Sequence, residues 1–546
     1  MITARANEGP IAGLCGTGLA AALLMAFGAT PAQANDPQPE EIWQDQRVDE
    51  MYWDYAVSLG NNGSMVFSDT GLTSTYTRFY SAFRGSTSTP IWSQTLQGEA
   101  SFARSVASAR NADVHAVVRH QGMNTADRHA TLEVFRSTQS APVLSHTFAE
   151  LDGGTGNNWC HVTDDGQTVF ACALTGSSVH LKRFDANSSG QGFHAAGDWS
   201  FSARTSPRCV RLSDDFERIY VGSGSTGEVF DLTASPPQQV WFTWYLGGAS
   251  LKGHSFSRDG NRIAVPVEDH IDVYDWNGST YSLASSFAPF TSGRKGYVTA
   301  LSEDATILTA GYYETPNRIT ADVLAWDLTT GEELLHDDLP GSAQISNVTN
   351  DIDISSDGSR VVAAFSGTIA GVVPGIRVYD RQPETGLFVE TASFDRAGSV
   401  VEIELSQDGK RLAVAEKEIH TGTGTGDKII ETIDLGKDFD LRGIPRSGST
   451  VTFEYYPQAP GPQTACLLLF SPYLSAGGPT ELPFGRLSID RNSISVRPMG
   501  SLDGEGKATK QVHVSGSLGS TVYYQGFATR PRQLSTDWVP MTILPQ

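Results

Sequence analysis

Short runs of alternating apolar and polar residues, broken at close intervals by Gly, Asp, Asn and Ser, make up most of this chain. A period of two is the mark of strands with one buried face. The stretch His254–Trp276 shows the unit most clearly. His254–Ser257 leads into the turn Arg258-Asp259-Gly260-Asn261, Arg262–Val267 alternates out of it, and Ile271–Asp275 follows a short link. Asp and Gly tolerate the backbone that such a tight hairpin needs. Three strands cannot cover both of their faces, so further copies are expected to supply the cover.

The copies are present. Thr163, Ser213, Ser302, Ser355 and Ser406 open turns of the same Ser-x-Asp-Gly type, and runs ending at Asp185, Asp231, Asp327, Asp380 and Asp434 stand where Asp275 stands. Two degenerate copies precede them, so eight units begin near Ala56, Ala103, Trp159, Cys209, His254, Val298, Asp351 and Glu402. Intervals between the turn residues run from 44 (213 to 257) to 53 (302 to 355), the spacing of four-stranded propeller blades. Most units carry a fourth run, such as YSLASSFAP or LFVETASF, but the last has none before the pattern stops near Leu441. Glu41–Val48 (EIWQDQRV) resembles the fourth run PIWSQTLQ and is expected to supply the missing outer strand, closing the ring. The expected fold is therefore all-β. An eight-bladed β-propeller over residues 41–441, with seven blades as the alternative, precedes a small C-terminal β-sandwich over 445–546, where short strands such as VTFEYYP and TVYYQGFAT alternate with Pro/Gly turns.

Unit lengths differ mainly between the second and third strands, at links starting near Arg119, Tyr312, Ser366 and Glu416. In a propeller these links and the Gly-rich connections between blades emerge on one rim, where binding usually sits. The aromatic and basic residues placed there by the reading are Tyr312, Tyr313, Arg318 and Arg294, with His120 and His420 on neighbouring links. His120, His129 and His420 are the metal-ligand candidates, but they are scattered over separate loops and no metal site is assigned.

Net charge of −22 argues against a nucleic-acid partner and suits a hydrated surface that attracts divalent cations. A structural divalent cation is compatible with it, and no other cofactor is expected. The first 34 residues read as a signal peptide. Arg5 precedes the apolar run Ile11–Ala29, and Ala32-Gln33-Ala34 forms an A-x-A cleavage site. Leu14 before Cys15 does not suit a lipoprotein signal, and no later stretch has the length of a membrane span. A secreted, periplasmic or cell-surface location is expected. Export permits disulfides. Cys160 and Cys172 flank one hairpin as a candidate pair, although register counting sets Cys160 opposite Ala171; Cys209 is the rival partner and free buried thiols the alternative.

The Ser-x-Asp-Gly hairpins followed by Val-Tyr-Asp, Ala-Trp-Asp or Val-Phe-Asp resemble those of WD-repeat and YVTN-type propellers, and Gly253-His254 resembles the Gly-His that opens a WD unit. The resemblance implies a binding platform more often than an enzyme. No G-x-S-x-G, H-E-x-x-H, Walker or EF-hand pattern occurs, and Gly422-x-Gly424-x-Gly426 lies between strands with no helix to receive a phosphate. Asp165, Asp259, Asp357 and Asp408 are read as turn formers; Asp231, Asp275, Asp327 and Asp380 are read as caps on strand-end backbone. The expected function is an exported binding or scaffold protein without catalytic residues, engaging a protein or glycan outside the cytoplasm. The alternative is a lactonase-like or polysaccharide-active hydrolase or lyase with its site at the channel mouth.

Overall fold

In the computed structural model the described residues are the strands between Glu40 and Thr542 and their shorter turns. Residues 1–39, the longer links (chiefly 48–55, 97–102, 122–128, 149–158, 245–252, 315–319, 341–346, 367–373 and 418–427) and most non-strand residues after 435 lie outside the description. The expected signal peptide falls there. The chain divides into two compact units, 39–435 and 436–546, the latter grouped with 1–38.

The first unit is an eight-bladed β-propeller: eight antiparallel four-stranded sheets in chain order, numbered here as blades 1 to 8, each with strands A (inner) to D (outer). Blade 8 takes its outer strand from the start of the chain. Glu40–Arg47 pairs antiparallel with Lys428–Asp434, from Glu40 opposite Asp434 to Arg47 opposite Lys428. Elsewhere the outer strand is bulged opposite the last residues of strand C, at Ala82/Phe83, Arg183/Phe184, Val229/Phe230, Val273/Tyr274, Ala325/Trp326 and Val378/Tyr379. The N-terminal strand bulges between Glu41 and Trp43, opposite Ile433 and Thr432, the same place in the blade. A bulge twists an exposed edge away from further pairing. Apolar side chains fill the gaps between blades. Val57, Leu59, Val66 and Phe83 of blade 1 pack on Ala413, Ala415 and Ile430 of blade 8, so the first and last blades bury each other.

The second unit is also all-β. Phe439–Arg442, 450–455 and 508–513 form one sheet, the strands near 465, 495, 521 and 532 a second, and Thr480–Leu482 with Gly485–Leu487 a two-stranded third. Phe439–Arg442 pairs with Thr450–Tyr455, so the propeller ends before it, near Leu435 and not at 441.

Every well-formed unit uses the same turn chemistry. In blade 5 the Ser257 hydroxyl donates to Asp259 Oδ1 (2.6 Å), which also accepts the Asn261 amide (2.9 Å), while the Arg262 amide donates to Ser257 Oγ (2.8 Å). The set recurs at Thr163/Asp165, Ser213/Asp215, Ser302/Asp304, Ser355/Asp357 and Ser406/Asp408. The fourth turn residue sits at positive φ, as at Gly260 (66°), where a Cβ would also lie 2.8 Å from Ser213 Cβ of the preceding blade. Blades 4 and 6 place Phe216 (62°) and Ala305 (53°) there.

An arginine just after the turn then clamps blade to blade. Arg218, Arg262 and Arg360 donate through Nη1 to the carbonyls of Gly260 (2.9 Å), Ala305 (2.7 Å) and Gly409 (2.6 Å) on the next blade. Arg262 and Arg360 also grip Asp275 and Asp380 with two bonds each. The strand-end cap expected for all four aspartates therefore describes Asp231, which accepts the Thr233 amide (2.7 Å), and Asp327, which accepts those of Thr329 and Thr330. Asp275 and Asp380 are ion-pair partners of the clamping arginine of their own blades, whereas Arg218 of blade 4 turns to Asn261 of the next blade and leaves Asp231 to the Thr233 amide.

Left-handed backbone costs a residue with a Cβ about 1–2 kcal/mol. Ala305→Gly should therefore stabilise the propeller by ~1 kcal/mol, the relief being partly offset by chain entropy. Phe216→Gly should instead destabilise it by ~2 kcal/mol, because the Phe216 ring, 4.9 Å from that of Phe170 and capped by Arg183, fills the gap between blades 3 and 4. Urea midpoints of the two variants check both signs.

Candidate functional site

Strand direction gives the propeller two unlike faces. Strands A run into the Ser-x-Asp-Gly turns on one face, and the links from B to C and from D to the next A emerge on the other. On the turn face, the residue after each Ser or Thr meets its counterparts from other blades. Arg258 of blade 5 is the centre. Its guanidinium bonds Asp164 of blade 3, lies 2.9 Å from Asp214 of blade 4 and 2.8 Å from Glu303 of blade 6. Gln407 of blade 8 donates to the same Asp164 (3.5 Å), and Arg110 of blade 2 stands 3.9 Å from it. Although desolvation is the largest single influence on Asp164, Arg110 and Arg258 together hold its carboxyl below the ordinary value.

Polar side chains of the inner strands line the channel beside this cluster. Asp351 and Asp353 of blade 7 accept the amides of Ile403 (2.9 Å) and Leu405 (2.8 Å) of blade 8, and Glu404 accepts that of Leu59 in blade 1. Inner strands are sheet edges, and these carboxylates satisfy amides that no neighbouring strand pairs. Asp353 is pushed up to about 6 and Glu404 to about 8, mainly by desolvation and then, for Glu404, by Asp353. Both side chains are half-buried. Across the ring, blade 3 contributes His161, stacked on Trp159 (5.8 Å, 4°) and lowered to about 4 by burial, and blade 4 contributes Arg211.

The residues expected at the rim fare differently. Tyr312 and Tyr313 lie in a B strand and are buried, at 0% and 6% exposure, Tyr313 with its ring 5.5 Å from that of Tyr297. Tyr312 packs against blade 5 and Tyr313 within blade 6, so neither is an open binding surface, because strand Ile307–Glu314 extends through the positions read as a loop. Arg294 does reach the rim end of blade 6, where it lies between the buried Asp322 (3.2 Å) and the exposed Asp338 (3.4 Å), which face each other in register. Desolvation and Asp338 push Asp322 up to about 7, against the pull of Arg294. His120 sits in a strand opposite Ala130, its side chain outside the described set; Arg318 and His420 lie outside it altogether.

Cys160 pairs in register with Ala171, and Cys172 with Trp159, so the two thiols point to opposite faces and the candidate disulfide does not form. Cys160, Cys172 and Cys209 are buried thiols. Among the described residues no group of three or more His, Cys, Asp or Glu is placed to hold a metal ion. No helix among them is long and apolar enough to cross a membrane.

The sequence reading missed the turn cluster. Its signal was available: aligned on the turn serine, the next position reads Asp164, Asp214, Arg258, Glu303, Ser356 and Gln407, mixed in charge where its flanks are constant. Charges of both signs at one repeat position imply that the copies meet.

No family model matches the chain. No curated protein matches it either. Among solved structures it is similar to Kuenenia stuttgartiensis hydrazine synthase, at 16% identity and a TM-score of 0.35, over 57% of this chain and 78% of that one. The fold assignment stands on the strand pairing and packing described above and takes nothing from that overlap.

An acid raised in the folded state keeps a proton that the unfolded chain releases, so stability falls as pH rises through the interval between the two values. For Glu404 that interval runs from the ordinary 4.5 to about 8. His161 works oppositely, costing stability as pH falls below 6.5 toward about 4. Glu404→Gln keeps an acceptor for the Leu59 amide without the charge. Its urea midpoint should match wild type near the acid end of the interval and exceed it increasingly toward the alkaline end, by more than ~1 kcal/mol, about one pKa unit's worth. Parallel pH profiles would contradict the assignment.

Proposed function

We propose that this is an exported binding protein, built on WD/YVTN-like repeats, which engages a protein or glycan at the rim opposite the turn face and performs no chemistry of its own. One observation carries the reading: where the long B–C links fall around the ring. Blades 3, 4 and 5 close that hairpin tightly, between Thr175 and Ser178, Gly222 and Thr226, and Val267 and His270. Blades 6, 7, 8, 1 and 2 do so across 315–319, 366–375, 418–427, 73–76 and 122–128. The three shortest links fall on the consecutive blades 3 to 5, and the longer ones, from 73–76 in blade 1 to 366–375 in blade 7 and 418–427 in blade 8, fall on the other five. Insertions tolerated at random have no reason to be contiguous, whereas a binding surface does.

The fate of the carboxylates supports the non-catalytic part. Asp165, Asp259, Asp357 and Asp408 are consumed by turn hydrogen bonds, and Asp275 and Asp380 by arginine. A hydrolase or lyase would centre on Asp353 and Glu404, whose values of about 6 and about 8 are separated as in an acid–base pair. Each already accepts a backbone amide between blades, which favours a structural part. Export rests on residues 1–34, with their apolar run and A-x-A site.

The test is to replace 367–373 and 418–427 with tight Asn-Gly hairpins and compare capture of envelope proteins and arrayed glycans. Loss of a specific ligand at unchanged melting temperature is expected, whereas lengthening the blade 3 and blade 4 hairpins should leave capture intact. Capture indifferent to the longer links, or turnover of a glycan or lactone by the wild-type chain, would contradict the proposal.

A further inference from the structure

We propose that Arg258 is the keystone of a floor that closes the central channel at the turn face, making the channel a blind well entered from the opposite rim. The inference does not rest on what binds at that rim.

Neighbouring blades touch in any propeller, and the ion pairs from Arg258 to Asp214 and Glu303 are of that kind. The bonds at Asp164 are not. Asp164 belongs to blade 3, and its partners are Arg258 two blades away and Gln407 of blade 8, three blades away in the other direction. Side chains from blades 3, 5 and 8 of one ring meet only by crossing the opening that the blades surround. Arg110 approaches the same carboxylate from blade 2, so three other blades converge on one side chain of blade 3.

The surrounding backbone completes the floor. The amide of Asp214 donates to the carbonyl of Arg258 (2.6 Å), that of Glu303 to Ser356 (3.1 Å), and that of Ser356 to Gln407 (2.9 Å). The turns are thus hydrogen-bonded edge to edge from blade 4 to 5 and from 6 through 7 to 8. A planar guanidinium suits the centre, because its fork of donors can satisfy several carboxylates at once where an ammonium is a single point charge. The side chains at Arg258 and Asp164 are largely covered, at 23% and 27% exposure, so salt screens the pair less than it would an open surface pair.

The test uses the mature chain with Arg211→Cys as a reporter in the channel wall and a maleimide carrying a short polyethylene glycol as the probe. The unsubstituted chain, whose thiols Cys160, Cys172 and Cys209 are buried, sets the background. Adding Arg258→Ala to the reporter should raise its labelling rate at least about tenfold, the change produced by removing a ~1.4 kcal/mol barrier to access. Asp164→Asn keeps the side chain's shape and should raise the rate in the same direction by a smaller factor. If Arg258→Ala does not fold, judged by near-UV circular dichroism, Asp164→Asn decides. Folded variants labelling at the reporter's own rate would overturn the proposal, since position 211 lies two residues from the turn at Ser213 and removing a floor there must give the probe a second, shorter route than the one from the rim.

Discussion

A twisted four-stranded sheet has two apolar faces, and in a row of such sheets the first and last are each left with one uncovered. The propeller removes that problem only if the row bends into a circle and the circle shuts. Every other feature of residues 39–435 follows from this constraint. The blades carry large side chains on both faces, such as Phe83, Tyr220 and Tyr312, which are fully buried because a neighbour stands on each side. Burial of one such side chain is worth about 1.5–3 kcal/mol, and the interface between blades 8 and 1 contains several. An open ring would forfeit that whole interface at once. The N-terminal strand ties the ends together by pairing with Lys428–Asp434, and it carries the same bulge as the other outer strands.

Closure also divides the labour between the two faces. On the turn face the polar groups of the Ser-x-Asp turns in blades 3 to 8 are committed. Ser-x-Asp turns are internally bonded, arginines reach the next blade's carbonyl, and Arg258 gathers carboxylates from three blades. A face so tied down is a frame. Length variation is concentrated on the other face, where a change in a link disturbs neither the turns nor the clamps. The pushed-up acids of the channel belong to the frame as well: Asp353 and Glu404 sit where desolvation is costly because their amide partners on the next inner strand are there.

Much of this was legible in the residues. Ser-x-Asp-Gly specifies a turn through side-chain geometry that is local in sequence, so repeat length, blade number and the role of Asp259 or Asp408 could be read directly. The closing strand was legible because EIWQDQRV shares the look of an outer run that the last unit lacks. What depended on partners distant in sequence was not. Alternation cannot say whether Tyr312 ends a strand between two blades or starts a loop, and the structure buries it. The split among strand-end aspartates turns on whether an arginine follows the turn and on where it reaches: Arg262 grips Asp275, Ile307 leaves Asp327 to its cap, and Arg218 turns to Asn261 of the next blade and leaves Asp231 to its own. The floor needed the ring itself, since Asp164 and Gln407 are 243 residues apart and meet only after eight blades have closed.

The most direct measurement concerns the closing strand. A chain lacking residues 35–47 should melt well below the mature protein, and a synthetic peptide of Glu40–Arg47 added in excess should restore the transition in proportion to its concentration, as a ligand of the folded ring alone does. An unchanged melting temperature on deletion, or a loss that the peptide does nothing to repair, would mean that the ring is held shut by something other than the pairing of that strand with Lys428–Asp434.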